Sequence, residues 1–287
     1  MQAFGNDPAC KDAVMENLRR LEAAGAWTYR PVFWDADSQS GSVVGSLLRG
    51  DDLNQWQDQM GLPKWLALLI DGVWSGAPSR KEGVTAAIAI IQGVETGIDV
   101  TRVGSRFVMC LLNEAIEKVS GFGPRGDMGK LAADIAQLHR RCVEAGDVSA
   151  GEWRDVRRAA TTVVKDLAPD SVDAALGACV EATAWDPRRS RTVVSDTLYY
   201  WLRARVALTL RDYGWTSADD SRIKKLLDAL NAQAVASAPD EQTNVFTLLE
   251  QHHPEEATRL KARYAYERQQ YAAYWRHALQ VLMEELK

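Results

Sequence analysis

Apolar residues recur every three or four positions along almost the whole chain, the spacing that lines one face of an α-helix. Asp7 to Ala24 places Val14, Leu18 and Leu21 on such a face, and Gly25 follows as a stop. Asp51 or Asp52 can cap a helix through Met60 that ends at Gly61, and Pro63 suits the first turn of the next, Lys64 to Val73. Ser79 and Glu82 have the spacing of a capping box ahead of a helix carrying Val84, Ala87, Ile88 and Ile91. Thr101 caps another, with Val103, Phe107, Leu111, Leu112 and Ile116 turned inward. After the break at Gly121 to Gly126, the same spacing predicts helices over 127–145, 149–167 and 171–183. A long helix starts at Asp186 or Ser190 and runs to Tyr213. Three more cover 217–236, 240–251 and 254 to the C-terminus.

No stretch shows the alternation of Val, Ile and Thr expected of strands. About ten helices with short linkers predict an all-α fold, a multi-helix bundle or short α-superhelix ending in a long C-terminal helix. The glycines at 121–126 mark the candidate boundary between an N-terminal region, 1–120, and a C-terminal bundle, 127–287, with a single domain as the alternative. One segment breaks the pattern. Residues 25–50 hold Pro31, an aromatic cluster around Phe33 and Trp34, and a polar run from Asp35 to Gly41, which predicts a loop with a short helix at Val43 to Leu48.

Composition narrows the class. Thirty-nine acidic and 34 basic residues give a net charge of −5, which argues against nucleic-acid binding, where affinity comes from neutralising phosphates. Cys10, Cys110, Cys142 and Cys179 are widely separated and fit a reducing compartment. The first residues show no basic stretch followed by an apolar one, and runs such as Trp65 to Ile70 fall far short of the ~20 residues of a membrane span. A cytoplasmic protein without membrane contact is expected.

No complete chemical constellation emerges. Gly121, Gly123 and Gly126 match the glycine spacing of a dinucleotide loop, but a helix precedes them and Pro124 removes an amide donor, so an interhelical turn is the better reading. Glu250 and His253 supply half a di-metal motif, with no second Glu-x-x-His to complete it. No nucleophile motif is present, and no catalytic, cofactor-binding or metal-binding residue is assigned. Basic clusters at Arg140 and Arg141, at Arg154 to Arg158, and at Arg188, Arg189 and Arg191 are offset by Glu144, Glu152, Asp155 and Asp186. They read as a solvated, salt-bridged face or, most plausibly at Arg188 to Arg191, as a docking surface for an acidic partner.

The last helix carries Tyr264, Tyr271, Tyr274 and Trp275 on one broad stripe and would be about 50 Å long. Such a stripe packs on the protein's own core or forms a partner or homo-oligomer surface, since Tyr and Trp concentrate in interface hot spots.

The stretches Leu62 to Pro78, Gly97 to Val103 and Phe107 to Leu112 contain a Pro-x-Trp-Leu opening and a Gly-x-Asp-Val-Thr helix cap. They resemble a group of small bacterial all-helical proteins described as immunity-like. The resemblance implies a helical fold and a protein-binding, immunity role, with no catalytic residues carried over. The expectation is a non-enzymatic protein-binding factor, an immunity or regulatory protein that sequesters a protein partner. The alternative is an enzyme or small-molecule binder whose interhelical pocket is covered by residues 27–56, bringing Arg30, Trp34, Asp35 and Asp37 to a cleft.

Overall fold

The computed structural model describes residues 1–119, 126–144, 148–169, 171–237 and 244–287. The fold is all-α, a multi-helix bundle ending in a long helix, with thirteen α-helices among the described residues. In chain order these are α1 (Pro8–Ala23), α2 (Val43–Leu48), α3 (Leu53–Met60), α4 (Lys64–Ser75), α5 (Arg80–Gly93) and α6 (Val103–Val119). Then follow α7 (Gly126–Glu144), α8 (Ala150–Lys165), α9 (Val172–Ala182), α10 (Val193–Asp212), α11 (Ser217–Ser237), α12 (Val245–His252) and α13 (Pro254–Glu285). No described helix is long and apolar enough to cross a membrane.

The element with least polar surface lies deepest. Eight of the twelve residues of α4 are buried, because Trp65, Leu66, Ala67, Leu69, Ile70, Val73 and Trp74 leave it no solvent face. Around it pack α2, α3, α5 and α10, and α10 in turn meets α6, α9 and α13. Trp56, Trp65, Trp74 and Trp201 are fully buried in this core. Smaller clusters form under α7, α8 and α9, around Ile135, Ala160 and Val180, and where Trp215, Leu230, Leu249 and Leu260 join α11, α12 and α13.

The irregular segment is folded onto α4 by one side chain. Asp71 is 1% exposed, and its two carboxylate oxygens accept the Val32 amide at 2.8 Å and the Val44 amide at 3.1 Å. Val32 has φ +42°, a left-handed conformation that a β-branched residue holds only when its surroundings impose it. Trp74 adds a second anchor, its Nε1 donating to the Thr28 carbonyl at 2.9 Å while Tyr29 stacks on the indole at 5.0 Å. Gly45 lets α2 lie against this segment, since a Cβ there would sit 2.0 Å from the Phe33 carbonyl oxygen. Burial pushes the Asp71 carboxyl up to about 6, against the backbone hydrogen bonds that pull it down.

Several expectations need correction. Residues 25–50 do contain strands: β1 (Trp34–Asp35) pairs antiparallel with β2 (Ser40–Gly41), each too short to show an alternation. Residues 186–192 are not helical, and α10 begins only at Val193. Ser79 caps α5, but the Glu82 carboxylate bonds Ser79 Oγ at 3.0 Å and Arg276 of α13 at 2.6 Å instead of closing a reciprocal box. The reciprocal box is at Ser149 and Glu152, opening α8. Of the proposed hinge at Gly121 to Gly126, Gly126 opens α7, while residues 121–125, the stop at Gly146 and the break at 238–239 lie outside the described residues.

The aromatic stripe of α13 turns inward. Trp275 is 3% exposed, Tyr274 shares a 2.6 Å hydrogen bond with Thr209, and Tyr271 donates to the Gly76 carbonyl at 2.6 Å. Tyr264, near the other end, is 40% exposed under the Arg263 guanidinium. Length has a use here: the first turns of α13 close the Trp215 cluster and the last close the main core with Ala278, Leu282 and Leu286.

Asp71→Asn is expected to remove one acceptor and set an NH2 group against a buried amide, lowering stability by about 2–3 kcal/mol. Urea unfolding checks the magnitude, and hydrogen exchange should show faster exchange at Val32 and Val44 in the variant. Trp275→Ala is expected to cost about 3–5 kcal/mol in the same assay, because a core tryptophan is removed; a change below about 1 kcal/mol would show the stripe to be peripheral.

Candidate functional site

The ten residues between α9 and α10, 183–192, contain a polar turn. Asp186 is 3% exposed and organises it. Its carboxylate accepts the Arg188 amide at 2.9 Å and the Arg188 guanidinium at 2.9–3.2 Å, and its carbonyl accepts the amides of Arg189 at 3.0 Å and Ser190 at 2.8 Å. Arg188 also reaches Cys142 Sγ of α7 at 3.5 Å. Pro187 seats the turn on α6, where a Cβ at Gly104 would meet Trp65 at 3.0 Å and Pro187 at 3.2 Å.

Beneath the turn lies a buried imidazole. His139 of α7 is fully buried, donates from Nε2 to the Thr183 carbonyl at 2.8 Å, and packs edge-on against Trp153 at 4.9 Å. Nδ1 has no partner. Burial lowers its pKa to about 4, so the ring is neutral at pH 7 and ties α7 to the end of α9.

With Asp186 holding Arg188, the turn stands as a ridge carrying Arg189 and Arg191 between two cavities. Arg189 is 69% exposed and only 3.9 Å from Asp186, at the outer limit of an ion pair. Arg191 is exposed, and among the described residues its side chain has no hydrogen-bond or ion-pair partner. The larger cavity, about 670 Å³, lies between the ridge, Trp153 and Arg157 of α8, and Asp51 and Asp52 at the start of α3. Trp185 stands at its edge, 44% exposed, with the Arg157 guanidinium 3.8 Å from the ring centroid. The smaller cavity, about 410 Å³, is lined by Lys64, Arg188, Arg189 and Arg191 and by no carboxylate. Both cavities share Lys64, Arg189, Ser190 and Arg191, so they adjoin across the ridge.

The structure separates the residues singled out from the sequence. Arg188, Arg189 and Arg191 come together, but only the last two extend from the turn. Tyr271, Tyr274 and Trp275 make their contacts within the chain, as described above, and line neither cavity beside the ridge. Arg30 lies over the Phe33 ring at 4.2 Å, and Asp35 closes the β1–β2 hairpin by accepting Ser38 Oγ at 2.7 Å and the Asp37 amide at 3.0 Å. Those bonds, Ser38 first, hold the Asp35 carboxyl below the usual range. Arg30, Trp34, Asp35 and Asp37 line neither cavity; residues 27–56 border the larger one through Asp51 to Asn54. A third cavity, about 430 Å³, lies where Pro31 meets Leu68, Tyr199, Tyr271 and Trp275.

Most arginines of the other basic clusters have partners within the chain, and Arg157 stands over Trp185. Arg141 pairs with Glu152, whose carboxyl this pairing and the Ser149 bonds hold down to about 2. Arg140 bonds Gln137, and Arg158 lies 3.8 Å from Asp155. His253 sits at the junction of α12 and α13, while Glu250 pairs with Lys261 at 2.8 Å. Among the described residues no group of three His, Cys, Asp or Glu is placed to hold a metal.

Lys64, Trp153, Arg157 and Trp185 did not stand out from the sequence as a group. The available signal was Trp185 and Asp186 directly preceding the run of arginines. No protein-family model matches the chain, and no curated protein or solved structure matches it either.

The depressed pKa of His139 contributes stability above pH 6.5 that is lost as pH falls through about 4. The stability advantage of the wild type over His139→Gln is therefore expected to shrink by about 3 kcal/mol between pH 7 and pH 4. Paired denaturant titrations at the two pH values check this, and a gap that stays constant would place the ring in solvent.

Proposed function

We propose that the protein acts by binding, and that it captures an acidic segment of a partner protein across the Arg189–Arg191 ridge. The observation that carries this is a cavity lined by Lys64, Arg189 and Arg191, by Arg188 paired with Asp186, and by no carboxylate, on a chain whose net charge is −5. Cations gathered on an acidic protein make a local field that steers and orients an anionic partner. The guanidinium groups offer forked donors matched to carboxylates. An immunity or regulatory role by sequestration is the physiological form of this reading, supported by the resemblance of residues 62–112 to immunity-like helical proteins.

A small-molecule binder is the second reading. It is favoured by the larger cavity, whose 670 Å³ falls within the ~300–1,000 Å³ usual for ligand pockets.

Binding of a fluorescein-labelled oligoglutamate peptide, followed by anisotropy at low salt, separates the cases. The wild type is expected to bind it, and Arg189→Glu with Arg191→Glu to weaken binding at least tenfold, or about 1.4 kcal/mol. Arg154→Glu with Arg158→Glu on α8 is the control and is expected to leave affinity within a factor of two. Equal binding by the wild type and the ridge variant, or binding by neither, refutes the proposal. A thermal shift given by a nucleotide or metabolite but by no acidic peptide selects the second reading.

A further inference from the structure

The two cavities flanking the ridge differ in chemistry, and the difference implies a direction. Asp51 and Asp52 face the ridge across the larger cavity, and Asp52 is fixed there by capping α3 through the Asn54 amide at 2.8 Å. Asp186 lines it as well, so three acids stand there against Lys64, Arg157, Arg189 and Arg191, and an acidic side chain is less stabilised than in the smaller cavity. The smaller cavity presents only cations among its charged side chains, so the acids of a bound segment are stabilised there.

The larger cavity instead offers an aromatic platform. Arg157 covers one face of the Trp185 indole at 3.8 Å, yet 44% of the residue remains exposed beside the cavity. An exposed tryptophan between two buried neighbours, Ala184 and Asp186, cannot withdraw into the core, because the chain on both sides is fixed. A neutral flat ring stacked on its open surface removes apolar area from water and gains the favoured offset geometry of aromatic pairs. The stem of Arg157 and the buried edge of Trp153 close the same site.

We infer that the partner segment pairs an aromatic side chain, seated on Trp185 in the larger cavity, with acidic residues that cross the ridge into the smaller one. This rests on the acidic-partner reading and adds to it a recognition element and a register. The segment is short, since an extended chain advances about 3.3–3.6 Å per residue and the two cavities share a wall.

The test uses two labelled peptide sets, four glutamates joined through two to four glycine or serine residues to either phenylalanine or alanine, made in both orders. For at least one order and spacing, the phenylalanine peptide is expected to bind the full-length protein about tenfold tighter than its alanine counterpart. Trp185→Ala is expected to erase that difference, and Trp185→Phe to retain most of it, with both variants checked by thermal melting. If Trp185→Ala fails to fold, the comparison of the two peptide sets on the wild type still decides. Equal affinity of phenylalanine and alanine peptides at every spacing overturns this inference and leaves the acidic-partner reading standing. Failure of all the peptides to bind overturns both. Binding of a nucleoside diphosphate that depends on Trp185 and exceeds every peptide gives the cavity to a small ligand, and overturns the inference in that way.

Discussion

A buried carboxylate on the central helix is the constraint from which the N-terminal half of the structure follows. Asp71 sits on α4, where seven of its eight buried positions are apolar, and it is the only charged group at that depth on the helix. Ionised, it is tolerable there only because backbone amides of the irregular segment converge on it. The segment in turn leans on the carboxylate, since Val32 holds a left-handed backbone conformation while its amide donates to Asp71. Charge and strain thus stabilise each other, and the otherwise shapeless stretch from Trp27 to Gly50 acquires one conformation. With that stretch in place α2 is fixed, and the start of α3, which carries Asp51 and Asp52, follows it directly.

The turn at Asp186 repeats this device in a different setting. Again a buried aspartate gathers backbone amides, one at its carboxylate and two at its carbonyl, and again the chain around it is irregular but fixed. The two sites respond to acid in opposite senses. Asp71, raised to about 6, favours the folded state increasingly as pH falls towards 3.8, whereas His139 beneath the Asp186 turn, lowered to about 4, disfavours it as pH falls from 6.5. Between about pH 4 and 6 these effects oppose each other, so the pH dependence of stability of the whole molecule understates what happens at either place.

Helices were legible in the sequence because burial of one face imposes a spacing that survives in the residue order. Val14, Leu18 and Leu21, or Leu198, Trp201 and Leu202, are inward in the fold as their spacing implies. What remained hidden was fixed by partners distant along the chain. Nothing around Glu82 reveals that Arg276 takes its carboxylate, and nothing in residues 34–41 reveals a hairpin whose strands are two residues each. Residues 186–192 resemble a helix start in sequence because Asp186 and Ser190 are capping residue types, whereas in the fold Asp186 accepts the Arg188 amide at its carboxylate and the Ser190 amide at its carbonyl. The candidate site was half legible. The arginines announced themselves by clustering, but their inequality depends on Asp186 being buried, and Trp185 gains meaning only beside Arg157, from another helix.

That inequality distinguishes the ridge from the paired charges elsewhere on the surface. At the junction of α11 and α13, Arg222 and Arg259 each contact both Asp219 and Glu256, at 3.0–3.3 Å, a network closed on itself. Cations in such a network offer little to a partner, because a new carboxylate must compete with ones already held. On the ridge the supply of acid is deliberately short by geometry: Asp186 has one carboxylate, Arg188 takes it almost wholly, and Asp51 and Asp52 lie across an open cavity. Arg189 is consequently held in position by its backbone, and the charges of Arg189 and Arg191 stay available. A binding surface requires both properties together, and in an acidic protein the second arises only where the fold keeps its own carboxylates away.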